Sequence, residues 1–172
     1  KSLNVAVKAA QGEWIANIDV DDAWHPRKLE FQAQTIKENP NIDFLSTRSQ
    51  LVYDDEEIRF FELEATDYSG RAAKLITKES FYKSNPVNHS SVLIRKSAYK
   101  VLGFYNENLN KQIDLDLWHR FVCSDLVMMQ LELPLTFKRK HKYQSFESSG
   151  KEYMRNALNL QLNYLKKINA PI

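Results

Sequence analysis

The feature that most constrains this chain is a short apolar segment that ends in acidic residues and is followed by a helix. Residues 14–20 read Trp-Ile-Ala-Asn-Ile-Asp-Val. Such a short, mostly apolar run is typical of a strand that is buried on both faces of a sheet. Three carboxylates stand at or just beyond its carboxyl end: Asp19, Asp21 and Asp22. Pro26 then begins a helix, whose apolar positions repeat at helical spacing: Leu29, Ala33 and Ile36. This order predicts an α/β fold.

The rest of the chain continues the mixture of helices and strands. Helical periodicity and stop signals predict helices over 3–11, 72–81, 97–102, a segment that begins at Asp114, and 150–168. Apolar and β-branched runs predict strands over 42–53, 58–64, 90–94 and 126–137. The strands over 42–53 and 58–64 flank an acidic turn, which predicts a hairpin or an extension of the sheet. We find no internal repeat and no Gly/Ser linker, and the length fits one domain.

Composition excludes some classes of protein and leaves others open. The 24 Lys and Arg nearly balance the 22 Asp and Glu, so charge does not predict a nucleic-acid partner. No apolar stretch approaches the roughly 18 to 20 residues that span a bilayer, and the start has no signal-peptide pattern. We therefore expect a cytoplasmic protein without a transmembrane segment. The basic end of the last helix leaves contact with the inner face of a membrane open.

The acidic cluster has two interpretations from its residues alone. Carboxylates at the end of a buried strand repel one another unless a cation, water or hydrogen-bond donors neutralise them. Mg²⁺ and Mn²⁺ bind a few carboxylate oxygens together with phosphate and water oxygens, which describes a nucleotide-diphosphate site. Alternatively, Asp21 and Asp22 cap a helix or stand in a solvated turn. An EF-hand calcium loop is a poorer match, because Trp24 occupies the position that needs glycine.

Residues 4–32 resemble the centre of family 2 glycosyltransferases with the GT-A fold. An alanine-rich helix, a Gly-Glu-aromatic strand entry, an Asp-x-Asp-Asp loop and a Pro-x-x-Leu-Glu helix follow one another in the order that this family shows. The resemblance implies a mixed, mainly parallel sheet flanked by helices. It also implies that Asp19 faces the nucleotide-sugar donor, that Asp21 is the principal ligand of a Mn²⁺ or Mg²⁺ ion, and that Asp22 supports the donor site.

A second part of the chain resembles the acceptor side of the same family. It comprises residues 88–97, residues 103–107 and the Asp-x-Asp-Leu-Trp-x-Arg segment that starts at Asp114. By this resemblance Asp114 is the catalytic base; the alternative is that it only caps its helix. The family has Glu immediately before this aspartate, whereas Ile113 stands here, which puts donor affinity, substrate choice and full activity in doubt. His141 resembles a family histidine that approaches the donor diphosphate; a surface basic run explains it as well.

Together these resemblances imply an inverting, metal-dependent glycosyltransferase. It would move a sugar from a nucleotide-diphosphate donor to a saccharide or lipid-linked acceptor, as in bacterial surface polysaccharide or glycolipid synthesis, with no nucleic-acid partner. The alternatives are a non-catalytic GT-A-like carbohydrate-binding module and a Mg²⁺-dependent nucleotidyltransferase. We expect a catalytic region over 1–148 and a helix over 149–172 that packs on it. The family's first nucleotide-binding strands are absent before Asn4, so we expect this chain alone to bind nucleotide weakly and turn over poorly.

Overall fold

A computed structural model describes residues 2–53, 56–63, 73–141 and 150–170. The helices are α1 (Ser2–Ala9), α2 (Lys28–Glu38), α3 (Lys96–Leu102), α4 (Ile113–Val122) and α5 (Gly150–Lys167). The strands are β1 (Trp14–Ala16), β2 (Ala23–Trp24), β3 (Ile42–Tyr53), β4 (Lys74–Leu75), β5 (Leu93–Arg95) and β6 (Val127–Lys140). Short 3₁₀ turns cover Lys78–Phe81 and His89–Ser91. None of the helices in these ranges is long and apolar enough to cross a membrane.

The described strands form one mixed sheet in the order β1-β5-β3-β6-β2, with β4 also paired to β6. The predicted α/β fold is thus confirmed. The expectation of a mainly parallel sheet needs correction, because within the described ranges only β3 and β6 pair in parallel and the other four pairings are antiparallel. A continuous apolar run in the sequence indicates that a strand is buried on both faces of the sheet. It does not indicate whether the strand pairs in parallel, because that depends on how the chain connects the strands.

The long strands β3 and β6 form the centre of the sheet, and an irregularity in β6 positions the site. Thr47 lies opposite Leu131, but Ser49 already lies opposite Thr136. The extra residues of β6 include Pro134, which has no N–H to donate to a neighbouring strand. After this shift, Arg139 pairs with Val52 at the far end of the strand. The basic end of β6 therefore continues the sheet in register.

Alternate residues of β3 face two separate apolar clusters. Phe44 contacts the rings of Trp118 and Phe121 of α4, with centroid distances of 4.9 and 5.0 Å. Leu45 belongs to the other cluster, with Phe31 of α2. Both faces of the sheet are thus covered, as the period of two in a strand requires.

Helix α5 packs on the first of these clusters through a buried tyrosine. The Tyr164 ring stacks on His119 with a centroid distance of 4.0 Å, and its hydroxyl donates to the Lys78 carbonyl at 2.8 Å. The limits of domains at 148 and 149 remain a prediction.

Two predicted elements are wrong within the described residues. Residues 58–63 form no strand; the aromatic side chains there pack instead, Phe60 on Phe137 and Phe61 on His25. The helix predicted over 72–81 is replaced by β4 and a 3₁₀ turn, because the backbone N–H of Ile76 donates to Met128 of β6. Positions 64 and 72 of these two predictions lie outside the described residues.

Candidate functional site

The acidic loop, residues 19–22, lies between β1 and β2 and faces the end of β6. Strand β1 is shorter than predicted and ends at Ala16, so residues 17–20 leave the sheet. The Asp22 N–H donates to the Asp19 carbonyl at 3.1 Å, which closes a turn. The adjoining β2 pairs with β6 at Phe137, and this pairing brings the acidic loop beside residues 138–141.

Asp21 and His141 form the most direct contact between the loop and β6. The His141 Nε2 lies 3.0 Å from Asp21 Oδ2, and since a carboxylate only accepts, Nε2 carries the proton in this arrangement. Both side chains stay partly open to solvent, with 22% of His141 and 30% of Asp21 exposed. Two residues that the family resemblance predicts at the donor site, Asp21 as a metal ligand and His141 near the diphosphate, therefore come together in space.

Asp19 is held by a network that reaches into the core. His89 Nδ1 donates to Asp19 Oδ1 at 3.2 Å, and the Tyr105 hydroxyl lies 3.0 Å from the other ring nitrogen of His89. Asn17 donates to the same Tyr105 hydroxyl at 2.8 Å. The His89 hydrogen bond is the main reason that the pKa of Asp19 is lowered, and the nearby Lys138 charge acts in the same direction against the effect of burial. Asp19 is thus a stable anion, half exposed at the site.

The turn His89–Ser91 holds the acidic loop in place through hydrogen bonds to Ser90. The buried Ser90 accepts the Asp19 N–H through Oγ at 2.9 Å, and its carbonyl accepts the Trp24 indole N–H at 2.6 Å. Trp24 in turn lies under the Nζ of Lys28, 4.1 Å from the ring centroid. The backbone on both sides of the acidic loop is therefore tied to one turn.

Asp22 has a different role from its two neighbours. Its Oδ1 accepts the backbone N–H of Arg139 at 3.0 Å, while Oδ2 is buried without a hydrogen-bond partner among the described residues. Burial raises the pKa of Asp22, and the charges of Asp21 and Asp19 add to that rise. Asp22 supports the junction of the loop with β6.

Asp114 lies on a separate element, in the first turn of α4. It lines a cleft of about 330 Å³ between α4, the segment 83–85 and α5. Gln112 precedes it with a left-handed φ of 55° and lines the same cleft. Asp116, two residues further along α4, forms an ion pair with Arg120 of the same helix at 2.8 Å. This contact gives Asp116 a structural role.

The structure joins the acidic loop to His141 but does not bring Asp114 into direct hydrogen-bond contact with that loop among the described residues. The pKa of Tyr105 is raised mainly by burial and in small part by the Asp114 charge. In the described ranges no three His, Cys, Asp or Glu side chains gather closely enough to hold a metal ion. A cation site would therefore need donor oxygens from a ligand.

Sequence reasoning missed the residues that position the loop. Asn17, Ser90 and Tyr105 carry no charge, and the motif that contains Ser90 and Tyr105 was read as part of the acceptor side. The sequence did show that the donor-like and acceptor-like motifs occur in one chain. It did not show that their polar residues contact each other, because these contacts form only when β1 pairs with β5.

Comparisons with known proteins show which family the chain resembles. The chain matches the family described as glycosyltransferase-like family 2 over residues 1–168. An uncharacterized glycosyltransferase of Methanocaldococcus jannaschii is 30% identical over 124 residues, which are 72% of this chain and 41% of the relative. One of Rickettsia typhi is 25% identical over 156 residues, 84% of this chain and 45% of the relative.

Solved structures share the fold. S. aureus TarS, residues 1–349 in complex with UDP-GlcNAc, superposes with a TM-score of 0.64 at 19% identity, over 98% of this chain and 46% of TarS. The chain therefore spans under half the length of the relatives that it matches.

Proposed function

The chain belongs to glycosyltransferase-like family 2, and we propose that the protein transfers a sugar from a nucleotide-diphosphate donor to an acceptor hydroxyl with inversion at the anomeric carbon. The observation that carries this proposal is the contact of Asp21 with His141 at the end of β6. Both side chains are partly exposed, and both belong to motifs that the family resemblance predicts at the donor site, which supports the proposal. The TarS structure with UDP-GlcNAc supports a nucleotide sugar as the class of donor.

A divalent cation fits between Asp21 and His141. Asp21 Oδ2 and His141 Nε2, which lie 3.0 Å apart, would hold a Mn²⁺ or Mg²⁺ ion from the protein side. The His141 proton would move to Nδ1 to free the Nε2 lone pair. Phosphate and water oxygens would complete the coordination, which suits a site with two protein ligands. When bound, the cation offsets negative charge on the departing diphosphate.

The surrounding charges suit a bound diphosphate. Lys138 lies close enough to Asp19 to lower its pKa, and Arg139 extends its guanidinium toward the Tyr53 carbonyl at 3.3 Å. Asp19, kept anionic by His89, is placed to accept hydrogen bonds from the ribose or the transferred sugar of the donor. These roles of Asp19, Asp22 and His141 in donor binding are proposals.

Asp114 is proposed as the general base. The acceptor oxygen attacks the anomeric carbon from the face opposite the diphosphate, the acceptor proton passes to the Asp114 carboxylate, and the bond to the diphosphate breaks with its electron pair on the leaving oxygen. The cleft beside Asp114 offers space for the acceptor.

One observation favours a second candidate, a non-catalytic carbohydrate-binding module. Ile113 stands where the family has Glu, and its side chain packs against the apolar cluster under α4. An apolar residue there cannot donate or accept hydrogen bonds to a substrate. If the chain is a module that lost its activity through Ile113, the variant Ile113→Glu should transfer more sugar than the parent chain. If the chain is an active enzyme, the parent chain itself should transfer sugar.

The donor site is tested by thermal unfolding with UDP, GDP or TDP, with and without Mn²⁺. Nucleotide at ten times its Kd stabilises the folded state by about 1.4 kcal/mol, or roughly 3 to 6 °C for a chain of this size. We expect a Mn²⁺-dependent rise in the parent chain and in the exposed control variant Asp125→Asn, and its loss in Asp21→Asn. An equal rise in Asp21→Asn would place the nucleotide elsewhere.

The catalytic role is tested by sugar transfer with Asp114→Asn. General-base catalysis contributes about 10² to 10⁴ in rate, so turnover should fall by that factor while the nucleotide-dependent rise in unfolding temperature persists. Asp125→Asn again serves as the matched control. Full turnover in Asp114→Asn would refute the base assignment and leave the donor site untouched.

A further inference from the structure

The outer face of α5 carries a row of exposed apolar side chains. Met154 is 62% exposed, Leu158 57% and Leu162 37%. Residues four apart project from nearly the same side of a helix, so the three side chains form one line. The buried Tyr164 points toward the core instead. The line is therefore largely open to solvent in the described fold, at the edge of a cleft that Met154 and Leu158 also line.

Basic side chains border this apolar row on one flank. At 3.6 residues per turn, Lys151, Arg155 and Lys166 project roughly 20°, 60° and 80° from Leu158 around the helix. All three are exposed, and none forms an ion pair with another described residue. Glu152, the sole acidic residue of α5, projects roughly 120° from Leu158 on the far side of these cations. The surface is both apolar and cationic.

From this arrangement we propose that α5 docks on the surface of an anionic lipid membrane. Helices that lie in the membrane interface combine an apolar row with Lys and Arg beside it, so that the apolar side chains enter the acyl boundary and the cations meet headgroup phosphates. A protein partner fits less well, because three side chains expose far less than the roughly 800 Å² that each partner buries in a stable interface.

The docking surface is continuous with the Asp114 cleft. Met154 and Leu158 line that cleft as well as the exposed row. A membrane beneath α5 would therefore lie next to the carboxylate of Asp114. Resting on the proposed function, this position indicates an acceptor hydroxyl carried by a lipid, with its apolar part against Met154 and Leu158.

Vesicle flotation tests the docking without donor or acceptor. The full chain is mixed with phosphatidylcholine vesicles, or with vesicles that also contain phosphatidylglycerol. We expect binding to the anionic vesicles alone, weakened by salt. Each cation contributes about fivefold in affinity, so Lys151→Gln with Arg155→Gln should weaken binding about 25-fold. Met154→Gln with Leu158→Gln should weaken it at least about tenfold.

Val5→Gln with Val101→Gln is the matched control, since these side chains are 66% and 69% exposed on other helices. Circular dichroism confirms that each variant is folded. Absence of binding, equal binding to neutral vesicles, or binding that neither α5 double variant changes would overturn the proposal. A concentration-dependent dimer that the Met154 and Leu158 changes dissociate would also overturn it, in favour of a second copy of the chain.

This result is separable from the proposed function. Asp114→Asn leaves α5 unchanged and should float with anionic vesicles like the parent chain. If the parent chain transfers sugar but does not float, the membrane proposal alone is wrong. If it floats but neither binds nucleotide nor transfers sugar, even when the family's first nucleotide-binding strands are supplied, the proposed function alone is wrong.

Discussion

Lys28 should make the stability of this protein rise with pH, and replacing it should remove that rise. The residue is 0% exposed in the first turn of α2, with its Nζ donating to Gln32 at 2.9 Å and lying over the Trp24 ring. Burial lowers the pKa of Lys28 from 10.5 to about 7. Between these values the unfolded chain binds one proton more than the folded chain. Stability therefore increases with pH through this window.

The size of the effect follows from the pKa change. One pKa unit corresponds to about 1.4 kcal/mol, so the free energy of unfolding should rise by about 2.5 kcal/mol between pH 6.5 and pH 9 through Lys28 alone. In Lys28→Met the rise is absent. The change in side-chain packing affects both pH values alike, so the difference between the two pH values isolates the titration of Lys28.

Urea denaturation of both proteins at pH 6.5 and pH 9 measures this difference. The control is Lys37→Met, an exposed position of the same helix, for which the difference from the parent chain should not change with pH. A Lys28→Met difference that is equal at the two pH values would refute the reasoning. It would mean that the charged ammonium is retained in the folded state by Trp24 and Gln32.

Three further predictions concern the core and one turn. His119→Phe should reduce the loss of stability between pH 7 and pH 4.5 by roughly 2 kcal/mol, because burial lowers the pKa of His119 to about 4 and acid then favours the unfolded chain; urea titrations at both pH values measure it. Phe121→Ala should lower the free energy of unfolding by about 3 to 5 kcal/mol, since the ring is 0% exposed against Phe44. Gly103→Ala should cost about 1 kcal/mol through backbone strain alone, because φ is 86° and no atom stands near the added Cβ; Gly103→Asn should lose less.

Each of these predictions has a result that contradicts it. An unchanged acid transition in His119→Phe would show that the ring of His119 charges readily in the folded state. A loss below about 1 kcal/mol for Phe121→Ala would mean that the cluster closes around the cavity. Equal losses for Gly103→Ala and Gly103→Asn would point away from the left-handed backbone as the cause.

Much of the fold could be predicted from local patterns. The helices α2, α4 and α5 and the strands β3 and β6 agree with their predicted positions to within a few residues, because their periodicity records which side is buried. The strand predicted over residues 58–63 is wrong. Phe60 and Phe61 are residue types that favour strands, but here they are partly buried by packing on Phe137 and His25 without strand pairing. Strand propensity describes burial more than it describes pairing.

The sequence by itself determined the acidic loop between a buried strand and a helix, the carboxylate at the start of α4, and the family to which such motifs belong. Only the tertiary structure decided what each carboxylate does. The partners of Asp19 and Asp21 are histidines 70 and 120 positions away along the chain, and Asp22 holds the backbone of Arg139. Periodicity extends over a few turns of one element, whereas these contacts arise when β1 pairs with β5 and β2 with β6. Tertiary contacts also fix the partner of Lys28, because the Gln32 amide that accepts from Lys28 donates in turn to the carbonyls of Leu45 and Ser91.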